Sequence, residues 1–230
     1  NQRSRMNLLQ LTNQTRVECG VSGPTLASVQ NLTGESARIL AWVQQAWIDV
    51  QTSKEDWLFL RETFEFNTVA SQWEYTAANA GLTDFGNWKR DSFRASSVNN
   101  LYRDEQLLNY MDWTTYRNLY RYANMRNTLA RPVVVSITPN KDLAFGSTPD
   151  QIYTINGEYY TQPVSLSADT DIPGIPARFH MIIVYRAMMY YAGYESAPEV
   201  LSRGDFEYRR LYSRMEIDQL PTIVSGPPLA

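Results

Sequence analysis

The residues that could do chemistry in this chain are few, beginning with one cysteine, Cys19, and one histidine, His180. A thiolate nucleophile needs a base or cation beside it. None stands out next to Cys19, which reads as a small buried hydrophobe. His180 opens an almost wholly apolar stretch and reads as a satisfied core or interface histidine rather than a general base. One His and one Cys cannot supply a nitrogen and sulfur zinc set, and no HExxH, Walker or dinucleotide glycine pattern occurs. Asp169 and Asp171 in "ADTD" could offer oxygens to calcium, but the segment lacks the ligand count and reads as a turn. Glu62, Glu65 and Glu74 match the paired carboxylates of glycosidases only by type, since charged strand faces are usually solvated. The expectation is therefore no catalytic residue, no cofactor and no metal. Tyr153, Tyr159 and Tyr160 could stack on sugars if exposed, which makes a carbohydrate-binding module one reading; cross-strand ring packing is the competing one.

The element that must organise the rest is the stretch 177–221, which reads as a helical hairpin. Its first helix is apolar nearly all round, the pattern of a helix enclosed by neighbours, with Gly193 as its left-handed stop. Ser196 followed by Glu199 reads as a capping box for the second helix, with Pro198 in the first turn. Val200, Leu201, Gly204, Tyr208, Leu211, Tyr212 and Met215 then recur at helical spacing, Arg203, Glu207, Arg210 and Arg214 form the wet face, and Leu220-Pro221 ends the helix.

Earlier in the chain, Leu8, Leu9, Leu11 and Val17 predict a short helix closed by Gly20, and Thr25 could cap a brief helix reaching Val29. Ile39, Leu40, Trp42, Val43, Ala46, Trp47 and Val50 predict a strong second helix, followed by a turn or two carrying Trp57, Leu58 and Leu60 inward. From Arg61 the period becomes two: Phe64, Phe66 and Thr68 mark a strand, "QWEY" its returning partner and "DSFRASS" a third strand. "DEQLLNYM" and "WTTYRNLYRYA" read as helices, 133–138 and 142–145 as strands, and Asn156-Gly157 as a tight hairpin turn. The fold class expected is α+β. A helical domain forms from 6–62 and 177–220, a mainly antiparallel β-rich domain is inserted at 63–176, and 221–230 is an extended tail.

With 43% hydrophobic and 20% charged residues, a net charge of −3 and no basic block, the composition is that of a globular protein without the footprint of a duplex-binding domain. A lone cysteine fits a reducing compartment, no apolar run reaches membrane-spanning length, and Met6 reads as a natural start after "NQRSR". Lysine accounts for three of the 21 basic side chains, and arginine is the cation favoured at interfaces.

Several segments together resemble the phage head-to-tail adaptor (connector) family: "ECGVSGP", "TGESARILAWVQQAWIDVQTSKEDWLFLR" with "FEFNTV", "DWTTYRNLYR", "PDQIYTINGEYYTQP", "ARFHMIIVYRAMMYYAGYESAPEV", "DQLP" and the closing "GPPLA". The resemblance implies a non-enzymatic neck protein of a tailed phage, made in the host cytoplasm and carried in the virion. It would form a ring of roughly twelve copies beneath the portal protein, with tail nozzle or fibre proteins below. Double-stranded DNA would pass through the lumen without sequence-specific binding, and no membrane is involved. On this chain the resemblance makes Pro221, Ile223, Val224, Pro227, Pro228 and Leu229 the portal-binding candidates. It makes Arg203, Glu207, Arg210 and Arg214 the inter-subunit candidates, and Tyr153, Tyr159 and Tyr160 the nozzle- or fibre-facing ones.

Overall fold

The computed structural model describes residues 5–100 and 102–221. In chain order its elements are α1 (Leu8–Glu18), α2 (Gly34–Thr52), β1 (Arg61–Asn67), β2 (Glu74–Tyr75), β3 (Phe85–Trp88), β4 (Arg94–Ser97), β5 (Gln106–Leu107), β6 (Asn109–Tyr110), α3 (Trp113–Tyr120), β7 (Val134–Ile137), β8 (Leu143–Gly146), β9 (Tyr153–Thr161), α4 (Met181–Glu195) and α5 (Pro198–Gln219). The fold is α+β. Two compact units divide it: a helical one from the two ends of the chain, and a β-rich one over Arg61–Gln162.

In the helical unit α4 is enclosed by α1, α2 and α5, as its all-round apolar sequence requires. Ile182, Ile183, Val184, Ala187 and Met188 are buried, and each large side chain among them contributes about 1.5–3 kcal/mol by leaving water. The α4–α5 contact is close because Gly204 lies there: a Cβ would come within 3.2 Å of the Tyr185 carbonyl and 3.3 Å of Met188 Cβ. Helix α1 opens with a reciprocal capping box, Asn7 Oδ1 accepting from the Gln10 N–H at 2.9 Å and Gln10 Oε1 accepting from the Asn7 N–H at 3.0 Å.

Polar contacts then join distant parts of the sequence. The Met6 N–H donates to His180 Nδ1 at 2.9 Å, and His180 Nε2–H donates to the Ile175 carbonyl at 3.1 Å, which fixes the neutral tautomer of a 1% exposed ring. Arg186 Nε donates to Asp49 Oδ2 at 2.8 Å, and the Tyr190 hydroxyl donates to the same oxygen, tying α4 to α2. Burial pushes the Asp49 carboxyl up, but the hydrogen bonds from Tyr190, Gln45 and Arg186 and the guanidinium charge outweigh it, leaving the group below its ordinary value.

The β-rich unit is two sheets sharing one core. Strand β9 is the centre of the first: β1 pairs with it antiparallel along one edge, β3 and β4 along the other, and β5 extends from β4. The second sheet runs β2-β8-β7-β6, with only the β6–β7 pair parallel. Rings from both sheets meet between them, Phe66 of β1 lying 5.3 Å from Tyr75 of β2 and 6.5 Å from Phe145 of β8 between centroids.

Tertiary context overrides several local signals. Asn156-Gly157 makes no turn; both residues lie inside β9, paired with Glu65 and Phe64. Gly157 is needed for thinness, since a Cβ would sit 3.1 Å from Phe64 and 3.3 Å from Phe93. "QWEY" does not return on β1, because its Glu74-Tyr75 pairs with β8. "DEQLLNYM" is not helical: Leu108 is 1% and Leu107 58% exposed, a period of two, and the Asp104 carboxylate accepts from the Ser97 N–H rather than capping a helix.

At the α4–α5 joint, Gly193 is passed by and Ser196 takes the left-handed position at φ 53°, so no Ser196–Glu199 capping box forms; Pro198 still opens α5. The stretch Thr25 to Val29 is not helical, and Leu58 in the 3-10 turn is exposed rather than inward. The boundary expected at residue 176 lies instead after Gln162. The reason is Gln51, 2% exposed on α2: its Nε2 donates to the Val164 carbonyl at 3.0 Å and its Oε1 accepts from the Val164 N–H at 2.9 Å. Asp169 Oδ1 accepts from the Val29 N–H at 2.6 Å, and the Asp171 carbonyl from the Leu8 N–H at 2.8 Å, so this segment is lashed to the helices.

Three measurements check these contacts. Gly157→Ala is expected to cost about 1–3 kcal/mol in urea unfolding through overpacking against Phe64 and Phe93. For His180, burial first of all holds the folded-state pKa below its ordinary value, so its contribution to stability is present above an unfolded pKa of about 6.5 and is lost as pH falls below it. His180→Gln is expected to flatten the pH dependence of the unfolding midpoint between about pH 7 and 5. The Asp49 shift has the acid-side sign: its stabilisation is full above the unfolded Asp value near 3.9 and fades as pH falls through the lower folded value. Asp49→Asn is expected to lower stability at neutral pH by about 1–2 kcal/mol and to remove part of the acid-induced loss.

Candidate interaction surface

The reactive residue types are occupied structurally. Burial, with the Glu18 and Glu35 charges adding to it, pushes the Cys19 thiol up to about 12, so it stays protonated. His180 has both ring nitrogens engaged, and the Asp171 carboxylate accepts from the backbone N–H groups of Ser167 and Ala168 at 2.7 and 2.8 Å as a turn-former. Glu62 and Glu65, an odd number of residues apart on β1, project to opposite faces of the sheet and do not form an acid pair. Among the described residues no group of three or more His, Cys, Asp or Glu side chains could hold a metal, and no helix is long and apolar enough to cross a membrane.

The tyrosine candidates divide by strand alternation. Tyr153 and Tyr159 point into the core of the β-rich unit, 3% and 6% exposed, their hydroxyls donating to Asp150 at 2.8 Å and Asp84 at 2.9 Å. These two cannot offer a stacking platform or a partner-facing surface, so the carbohydrate-binding alternative keeps only Tyr160 of its three rings. Tyr160 lies on the other face and is half-buried.

On α5 the four charged candidates do not act alike. Arg203 pairs with Glu18 on α1, Glu207 pairs with Arg210 one turn along, and Arg214 lines a shallow hollow with Ile217 and Phe179. Exposed pairs of this kind contribute little to stability. What the charge pattern hides is apolar: Phe206 is 65% and Ile217 86% exposed, eleven positions apart and therefore on one stripe of the helix, with Arg210 and Ser213 between them. The sequence assigns this face to charge because the arginines outnumber the two apolar residues. The signal that could have found the stripe is what the inward set of Gly204, Tyr208, Leu211 and Met215 leaves over, namely Phe206 and Ile217. Leu201, expected inward, is 42% exposed.

A second exposed group runs from the end of α3: Leu119, Tyr122, Met125, Leu129 and Val133 are each 46–70% exposed. From Trp113 to Lys141 the sequence has Arg117, Arg121, Arg126, Arg131 and Lys141 and no carboxylate. Arg121 stacks over Trp73, 4.0 Å from the ring centre, and Arg131 pairs with Asp104. Of the portal-binding candidates Pro221 is exposed at the end of α5, while Ile223, Val224, Pro227, Pro228 and Leu229 lie outside the described residues.

Each of the two units thus presents exposed apolar residues with arginines near them, the composition found at contact surfaces. No curated protein sequence matches the chain. The family model described as SU10 adaptor protein matches residues 6–224, nearly the whole length. The chain belongs to the SU10 adaptor protein family, a family of phage adaptors.

Proposed function

We propose that the protein is the head-to-tail adaptor of a tailed phage, forming a ring beneath the portal protein that continues the DNA channel and carries the tail nozzle or fibres. The observation that carries this reading is the family match over residues 6–224. The role is structural and without catalysis, exercised in the virion neck after synthesis in the host cytoplasm. The ring, of roughly twelve copies, follows from matching the portal's symmetry. A closed ring joins two different patches of each subunit head to tail.

For one of those patches the α5 stripe is the best-supported candidate. Phe206 and Ile217 supply apolar anchors, and Arg210 and Arg214 supply planar multi-donor heads around them, the composition favoured at interface centres. Residues 221–230 would dock on the portal, and the exposed group from Leu119 to Val133 in the β-rich unit would meet nozzle or fibre proteins in place of the buried tyrosines. Phage DNA would pass the lumen without base-specific contact, consistent with a net charge of −3.

Two variants test this. Phe206→Asp with Ile217→Asp alters only exposed side chains, so the melting temperature is expected to hold within about 2 °C while cross-linking between neighbouring adaptor chains on purified cognate portal falls at least roughly tenfold. A chain ending at Leu220 is expected to fold normally and to lose portal binding. Unchanged cross-linking by the double variant would remove α5 from the ring contact, and full portal binding by the shortened chain would remove the tail.

A further inference from the structure

Arg16 is a buried cation whose partners are all uncharged. It stands in the last turn of α1 and is 7% exposed. Its guanidinium donates to the Pro24 carbonyl at 2.7 Å and the Ser22 carbonyl at 3.3 Å, so the loop after α1 folds over it. Gly23, at φ +112°, passes so close that a Cβ would lie 3.3 Å from one terminal nitrogen. Two of the five N–H groups that a guanidinium carries are used, and Nε is buried without a partner. Among the described residues no carboxylate pairs with it. Glu18, the nearest acid in sequence, is engaged by Arg203 and by Gln14.

Arginine does not shed its proton, so the charge stays, and a buried charge without a counter-charge is costly. Neutral carbonyls solvate it only in part. The fold keeps a cation there that the loop contacts alone do not require, since a neutral donor could reach two carbonyls.

Arg16 also lines a pocket of about 400 Å³, within the range of about 300–1,000 Å³ typical of ligand sites. Met6, Val17, Val21 and Pro24 give it an apolar side, while Arg5 adds a second guanidinium and Gln10, Asn13 and Gln14 add side-chain amides. Val17 is 72% exposed at its rim, a large apolar side chain left in water.

We infer that this pocket binds a carboxylate side chain presented on an apolar segment of a partner protein, with Arg16 as the planar donor that receives it. A carboxylate is the acceptor that a guanidinium binds best, and the apolar part of the wall suits the residues flanking it. A nucleic-acid backbone fits poorly, because phosphate tracking uses a run of exposed cations, whereas only Arg5 and Arg16 among the lining residues are cationic. The inference rests on Arg16 and its pocket and does not depend on the ring reading above.

The test is a titration of the full-length protein, with the Arg16 Nε–H signal followed by nitrogen-15 NMR. The probes are an N-acetylated, C-amidated Ala-Leu-Asp-Leu-Ala peptide, its Asn counterpart and inorganic phosphate. The Asp peptide is expected to shift the Arg16 signal saturably, and the Asn peptide to bind at least roughly tenfold more weakly, the loss of a charge-assisted contact. Arg16→Gln removes the loop contacts as well and could unfold the loop, so the deciding variant is Val17→Glu on the exposed rim. It is expected to leave the fold intact and weaken the Asp peptide by at least roughly tenfold, through repulsion or by supplying its own carboxylate to Arg16. An unmoved Arg16 signal, equal binding of the two peptides, unchanged binding to Val17→Glu, or a response to phosphate alone would each overturn the proposal.

Discussion

The enclosure of α4 is the constraint on which the helical unit depends. A helix apolar on every side cannot stop at two neighbours, and its three partners come from both ends of the chain, with 102 residues of another unit inserted between them. The two ends must therefore be registered against each other by something directional, because apolar burial alone would tolerate sliding and rotation. Directional contacts sit where α4 begins and where it crosses α2: Met6 on His180, and Asp49 on Arg186 and Tyr190. Gly204 then lets α5 approach closely enough to complete the wall. His180 and Asp49 look catalytic by residue type, but both work as registration pins.

The β-rich unit answers the same problem with one long strand. Every other strand of its sheet is placed directly or indirectly by β9, whose inward residues Tyr153, Ile155, Gly157 and Tyr159 alternate with outward Asn156, Glu158 and Tyr160. Gly157 is the residue that lets two aromatic rings lie flat against the strand. On the outer face Glu158 gathers Arg61 and Lys89, and Asn156 donates to Glu105, so the polar side is cross-linked as well. The exposed group that begins at α3 is based on the second sheet, where Tyr116 packs with Val134 and Ala144.

What could be read from sequence was what depends on period and on residue class. The helices α1, α2, α4 and α5, the α3 segment, the strands at β1, β4, β7 and β8 and the α+β class follow from spacing that burial enforces. What failed were local signals that tertiary contacts overrule. Asn-Gly favours a turn only where the chain is free to turn, and here both flanks are held by β1 and β4. Ser196 and Glu199 have the right spacing for a cap, but the chain spends Ser196 on the left-handed corner. The unit boundary moved because Gln51, Asp169 and Asp171 act across more than 100 residues, which no local pattern reveals. The exposed stripe of α5 was only partly legible: its arginines were visible, while Phe206 and Ile217 appear as an interface only once the inward face is known.

If the chain assembles on a portal, as proposed above, its mass must change when it meets one. Light scattering of the purified protein, alone and mixed at matched concentration with its cognate portal, reads that change without any labelled or altered residue. Assembly gives a species whose mass exceeds the portal's by an integral number of 26.5 kDa chains equal to the portal's own copy number. Two separate species with unchanged masses across the concentration range would contradict the adaptor role.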